Sequence, residues 1–188
     1  MLDHAADRVR AFAGAEDRSW SHLAIGAAVC VGAVAASALI SSRFAPTPLN
    51  PKRGVEFALL DKPSYTPPAP VFAVVWPALF SLLTWSGLRV WNAKGGRERT
   101  LAFSLWGLIQ ALNVAVVAWG PERRLRQFLT AFATLVVAGV YAAAARKVDG
   151  KAAAMAAPYA GWMAFANLLT EELWRRNRPV HPGTPTIH

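Results

Sequence analysis

A helix that crosses a bilayer needs about 20 consecutive, mainly apolar residues. This chain contains five stretches of that kind, at 22–40, 71–90, 101–119, 128–145 and 152–170. The first two are the clearest, the fourth is slightly short, and the fifth runs into a charged end at Glu171 and Glu172. None shows the alternating period of a membrane β-barrel, and no lipid-facing loop can leave its amides unpaired in hydrocarbon. The expected fold class is therefore an all-α membrane protein, a bundle of five transmembrane helices. A 54% hydrophobic fraction beside 16% charged residues agrees, because ordinary soluble domains are more polar.

Around these spans the chain divides into an N-terminal extension at 1–21, a helical domain at 22–177 and a tail at 178–188. The extension is of mixed charge and lacks the basic segment, short apolar run and Ala-x-Ala site of a cleaved signal, so the first apolar stretch reads as a retained span. Between the first two spans, 41–70 carries Pro46, Pro48, Pro51, Pro63, Pro67, Pro68 and Pro70 and cannot be one regular helix. It is expected to form a structured loop over one mouth of the bundle. The other connections centre on Lys94-Gly95-Gly96-Arg97, Gly120-Pro121-Glu122-Arg123 and Lys147-Val148-Asp149-Gly150, short enough to make successive helices antiparallel.

Charge places the chain in the membrane rather than on nucleic acid. The formal charge is +9, but the basic residues fall in small groups between apolar runs, as in Arg123, Arg124 and Arg126 or Arg175, Arg176 and Arg178. Groups at helix ends meet anionic headgroups and make no single basic face, so no nucleic-acid partner is expected. The positive-inside rule does not orient the chain. Arg8, Arg10, Arg18, Lys94, Arg97, Arg99, Arg146, Lys147 and Lys151 face a similar number of cations at the other ends.

Hydrolytic chemistry has no visible constellation. His4, His22, His181 and His188 lie at or outside the membrane edges, which leaves neither a buried haem-ligating histidine nor a Ser-His-Asp set. Cys30 is the one cysteine, so no intramolecular disulfide or cysteine metal cluster forms. Glu171 and Glu172 precede Arg175 and Arg176 at helical spacing, the pattern of interfacial ion pairs. No metal and no required cofactor follow from the residues.

The spans nevertheless carry polar and aromatic groups that hydrocarbon does not satisfy. Gln110 and Asn113 are one turn apart on one face of the third span, and each amide needs protein, water or ligand. Tyr159, Trp162, Phe165 and Ala166 make one stripe on the fifth span. Four of eight tryptophans, Trp20, Trp91, Trp119 and Trp174, sit at span ends as anchors, whereas Trp76, Trp85, Trp106 and Trp162 lie deeper, where each indole N–H needs a partner or a cavity. Each feature alone is compatible with core packing or an interhelical hydrogen bond. Together, Asn113, Trp76, the stripe and a proline-braced lid bearing Tyr65 would surround a mostly apolar pocket with a few polar points, suited to a flat aromatic ligand. Gly107, Ala111 and Ala115 recur every four residues along the third span, and their small size predicts a homodimer through that helix.

Three ordered motifs carry a family resemblance. The first is Leu60-Asp61-Lys62-Pro63-Ser64-Tyr65-Thr66-Pro67-Pro68, with Val71-Phe72, Val75-Trp76 and Leu79-Phe80 after it. The second is Gln110-Ala111-Leu112-Asn113. The third is Pro158-Tyr159, Trp162, Phe165-Ala166, Leu169, Leu173-Trp174 and Asn177. From Ser41 to Asn177 the chain resembles the translocator protein family, also called tryptophan-rich sensory proteins or peripheral benzodiazepine receptors. The resemblance implies a five-helix bundle, often dimeric, with a cavity below the first long loop.

Family ligands include porphyrins and haem and, in animal members, cholesterol and benzodiazepine-type drugs. Bacterial members are associated with tetrapyrrole metabolism and stress responses. The resemblance thus implies a receptor or translocator that binds a tetrapyrrole at Tyr65, Trp76, Gln110, Asn113, Tyr159, Trp162, Phe165 and Ala166, with Lys62 or Arg53 meeting the propionates. A light-dependent porphyrin-degrading enzyme, or a structural membrane partner with a vestigial cavity, are the alternatives. The implied location is a bacterial cytoplasmic membrane first and a mitochondrial or other organelle membrane second, with the C-terminus cytoplasmic. The chain departs from the family pattern at Tyr65, Val116, Ala118-Trp119 and Thr170, and Glu171 occupies the central tyrosine position of the cholesterol-recognition pattern.

Overall fold

A computed structural model describes residues 2–43, 51–119 and 123–177, and among them every regular element is an α-helix. In chain order these are α1 (Leu2–Ala13), α2 (Trp20–Ser42), α3 (Pro51–Ala58), α4 (Ala69–Asn92), α5 (Arg97–Ala118), α6 (Arg124–Val148) and α7 (Gly150–Arg176). The tail at 178–188 and the segment 44–50 lie outside the described residues, as does the side chain of Arg53.

Among the described residues four helices, α2, α4, α5 and α6, are long and apolar enough to cross a membrane. α7 is the longest at 27 residues but dilutes its apolar content with Lys151, Pro158, Asn167 and the charged final turns. The five long helices close into a ring in which α2 lies between α4 and α5, α6 joins α5 to α7, and α7 returns to α4. Large apolar side chains point out of this ring, among them Ile25, Val31, Leu39, Val74, Leu108, Leu129, Phe132, Val136 and Val140. Ser37, Ser86, Gln110, Asn113, Thr134 and Asn167 point inward. That inversion of the soluble pattern is expected where lipid takes up the apolar faces and small or polar groups join helices.

Specific bonds set the helix order. The Ser86 hydroxyl hydrogen-bonds the Tyr141 phenol at 2.6 Å and donates to the Ala152 carbonyl at 2.8 Å, joining α4, α6 and α7. Asn167 donates to the Ala131 carbonyl of α6 at 3.2 Å. Trp106, one of the largest buried side chains, donates its indole N–H to the Leu83 carbonyl at 2.9 Å. α4 and α5 approach that closely because Gly87 has no side chain: a Cβ there would lie 2.4 Å from Trp106 Cε2.

Two short helices lie outside the five predicted spans. α3 occupies part of the proline-rich connection, opening at Pro51, a favoured residue at a first helical position. α1 forms within the N-terminal extension and is fastened to the end of α4. Arg89 donates to the Ala11 and Phe12 carbonyls at 3.2 and 2.5 Å, and Asn92 donates to the Ala13 carbonyl at 3.0 Å. Those are carbonyls that a helix C-terminus leaves without internal donors. The chain then turns at Gly14, whose φ of 63° is open to glycine.

Asp149, between α6 and α7, completes this junction. Its carboxylate takes three hydrogen bonds from Arg89 at 2.7 to 3.1 Å and caps α7 through the Ala152 N–H at 2.7 Å. Burial pushes its pKa up, but the Arg89 guanidinium and the capping amides outweigh burial and hold it below the usual carboxylate value.

Candidate functional site

At the end of the bundle opposite α1, the α3–α4 connection lies against α4 and α7. It is pinned there by a reciprocal pair: the Asp61 N–H donates to Asn177 Oδ1 and the Asn177 amide donates to the Asp61 carbonyl, both at 2.9 Å. Arg176 adds an ion pair to Asp61 at 3.8 Å. The prolines that follow limit the backbone states open to this segment, so a few bonds suffice to hold it.

Beneath it, rings from α3, α4, α7 and the connection form one continuous cluster. Trp162 is the hub. Its ring meets Phe72 at 5.8 Å and Trp76 at 6.1 Å, both edge-on, and Phe165 at 5.3 Å. Tyr65 stands edge-on to Phe165 at 6.5 Å, Trp76 stacks on Phe80 at 5.5 Å, and Phe57 of α3 reaches Phe72 at 6.5 Å. Edge-on pairs of this kind match the positive rim of one ring to the negative face of the next.

Deeper in the bundle, the fully buried Tyr159 donates its phenol O–H to Asn113 Oδ1 at 2.5 Å, linking α7 to α5. Gln110, one turn earlier on α5, reaches only its own helix, at the Trp106 carbonyl 3.5 Å away. Pro77 and Pro158 follow Trp76 and precede Tyr159 directly. Each removes one helical hydrogen bond beside the site and frees the backbone there to bend.

Four buried polar atoms in this region have no hydrogen-bond partner among the described residues: Trp162 Nε1, Asn113 Nδ2, Gln110 Oε1 and Thr66 Oγ1. Each such group costs about 1–3 kcal/mol in an apolar setting unless something pairs with it. They are three donors, one of them a rotatable hydroxyl, and one amide acceptor.

The structure brings Tyr65, Trp76, Trp162 and Phe165 into direct ring contact or a one-ring relay, and pairs Asn113 with Tyr159. Gln110 is buried on the same helix as Asn113, and Ala166 is half-buried beside Phe165. Lys62 is otherwise engaged. Its ammonium donates to the Ala58 and Leu60 carbonyls at 2.7 and 3.0 Å and lies 5.5 Å from the Phe57 ring, closing the end of α3. Phe72 and Thr66 belong to the site by position although only the motif pattern marked them. The deep tryptophan Trp85 does not join the cluster; it meets Phe12 of α1.

Residues 24–175 match the TspO/MBR family. The chain is 33% identical over 134 residues to the translocator protein of Ovis aries, an alignment covering 68% of this chain and 78% of that protein. The translocator protein of Homo sapiens is 32% identical over 132 residues, with the same coverage of 68% and 78%. Protein CrtK of Rhodobacter capsulatus is 28% identical over 141 residues, 70% of this chain and 84% of that protein. With a match running from the second turn of α2 to the last turn of α7, the chain is an integral, multi-pass membrane protein that belongs to the TspO/MBR family.

Proposed function

We propose that this protein binds a flat aromatic ligand of the tetrapyrrole class in the ring-lined site between α4, α5 and α7, with α7 serving as the fifth membrane span. The observation that carries the reading is Trp162: a buried indole N–H without a partner among the described residues, at the centre of a cluster built from Tyr65, Phe72, Trp76 and Phe165. Rings that meet edge-on present faces for stacking once they part, and Asn113 Nδ2 and Thr66 Oγ1 supply polar contacts at the rim of a macrocycle. The names of the relatives, translocator protein among them, support a ligand-handling membrane role.

Several cations flank this mouth. Lys62 closes α3, and Arg176 divides itself between Asp61 and Glu172. An anionic substituent would therefore have to draw one of them from an existing partner. Titrating the detergent-solubilised protein with protoporphyrin IX and following tryptophan fluorescence is the direct test. Saturable quenching below tens of micromolar, reduced in Trp162→Phe, supports the reading; linear, unsaturated quenching overturns it. Illuminating the complex and analysing the pigment separates simple binding from light-dependent degradation.

Gly107 and Ala111 are exposed on the outer face of α5, and an added methyl at Gly107 meets nothing within 4 Å. We propose that this face is where two copies associate, since a stripe of small residues lets helices approach closely.

A further inference from the structure

A cleft lies under the N-terminal helix, and its deep end at Pro158 adjoins Tyr159 on α7. It encloses about 430 Å³ between Phe12 of α1, Leu82 and Arg89 of α4, and Lys151, Ala154, Met155 and Pro158 of α7. That volume is within the range of small-molecule sites, about 300–1,000 Å³. Its roof, α1, lies outside the residues matched to the family, whereas its walls on α4 and α7 lie within them.

The walls are graded along their length. Arg89 and Lys151 stand at the aqueous end of α4 and α7, and Leu82 and Pro158 lie seven residues deeper on the same helices. At 1.5 Å per residue this is about 10 Å of groove leading from cations into the apolar layer. The two cations are not equivalent. Arg89 is buried and committed to Asp149 and the carbonyls of α1, so it is structural. Lys151 is exposed on the first turn of α7 and forms no ion pair among the described residues.

α1 has the character of a helix lying in the membrane interface. Val9 and Phe12, one turn apart, are 48% and 49% exposed, and Trp20 just beyond is 51% exposed beneath the Arg10 guanidinium at 4.1 Å. His4, Asp7 and Arg8 are exposed on the polar side. Such a helix settles at the boundary of headgroups and acyl chains. Phe12, held edge-on to Trp85 at 4.7 Å, closes the top of the cleft, while exposed Ala154 and Pro158 leave its side open to the bilayer.

We infer that this cleft holds one anionic phospholipid, its acyl chain between Leu82, Met155 and Pro158 under Phe12 and its phosphate at Lys151. Apolar walls select a chain, the unpaired cation at headgroup depth selects the charge, and the lateral opening admits the molecule from the bilayer.

The test uses the full-length protein, delipidated in detergent and titrated with phosphatidylglycerol, phosphatidylcholine or glycerol 3-phosphate while bound lipid is counted by native mass spectrometry. One phosphatidylglycerol is expected to bind at least tenfold more tightly than phosphatidylcholine, with glycerol 3-phosphate failing to compete. Lys151→Glu should abolish that preference, and Lys151→Arg should restore it. Ala154→Trp fills exposed space and should weaken both lipids at least tenfold while leaving thermal unfolding in detergent unchanged.

Equal binding of the two lipids by the parent protein overturns the inference. So does parent-like lipid binding by a folded Ala154→Trp. Competition by glycerol 3-phosphate also overturns it, because that would mark a plain anion site. Lys151 lies on the surface, so its variants keep the test decisive even where Ala154→Trp does not fold.

Discussion

The Tyr159 phenol donates to Asn113 Oδ1 at 2.5 Å, a buried bond that joins α7 to α5, while the amide N–H of Asn113 has no partner among the described residues. In a membrane interior such a bond contributes about 0.6 kcal/mol on average and up to about 1.7. Tyr159→Phe should therefore lower stability by that amount. A double-mutant cycle with Asn113→Ala, read by denaturing-detergent titration, should return a coupling of the same size. Additive single effects would show that the two groups do not act together.

Ala166 bears on the ring-lined site. It follows Phe165 on α7 and is half-buried, so a larger side chain there enters the space proposed for ligand. Ala166→Phe should weaken protoporphyrin IX binding at least tenfold, about 1.4 kcal/mol, at unchanged thermal stability. If the residue packs against protein instead, overpacking should cost about 1–3 kcal/mol of stability with affinity intact in the folded fraction.

Gly87 sets the distance between α4 and α5. A Cβ at this position would lie 2.4 Å from Trp106 Cε2 and 2.5 Å from Nε1, and the indole is held by its bond to the Leu83 carbonyl. Gly87→Ala should cost about 1–3 kcal/mol through overpacking. Gly139→Ala on α6, where an added methyl meets nothing within 4 Å, is the control and should leave unfolding nearly unchanged.

The Arg89–Asp149 pair makes stability depend on acid. Asp149 titrates below its ordinary value in the folded protein, so the unfolded chain takes up the proton first. The stabilisation is therefore complete above the usual carboxylate value of about 4 and is lost as pH falls through it towards the depressed folded value. Asp149→Ala should cost about 3 kcal/mol at neutral pH, because Arg89 is left buried with only the α1 carbonyls. Thermal unfolding of that variant between pH 6 and pH 3 should be flatter than that of the parent; parallel curves would assign acid sensitivity to other groups.

The proposed association through α5 has its own readout. Ala111 is exposed on the face that also carries Gly107, so Ala111→Leu adds bulk outside the bundle. A shift from dimer to monomer mass in light scattering of the detergent complex is the expected result. An unchanged dimer mass would place the contact elsewhere.

Much of this protein is determined by local pattern, because hydrocarbon allows a crossing segment few options. The stretches 22–40 and 71–90 fall inside α2 and α4, and 128–145 falls inside α6, since backbone groups without water must pair within their own helix. The ring-bearing motifs were legible for a related reason. Tyr159, Trp162 and Phe165 share a helix face by spacing alone, and the proline-braced segment holding Tyr65 has few places to lie except across the adjacent mouth.

Tertiary structure decided the rest, where a residue's role depends on a partner far along the chain. α1 is 12 residues of mixed charge, too short to be stable alone, and its terminal carbonyls are held by Arg89 and Asn92, almost eighty residues away. Lys62 has the charge to meet an anionic ligand, yet its flexible stem turns back to the Ala58 carbonyl. Trp106 and Trp162 are both deep indoles, but the N–H of one finds the Leu83 carbonyl and that of the other finds no acceptor among the described residues. Helix spacing places each on a face, and only the packing of α4 against α5 and α7 determines which polar group is satisfied and which is not.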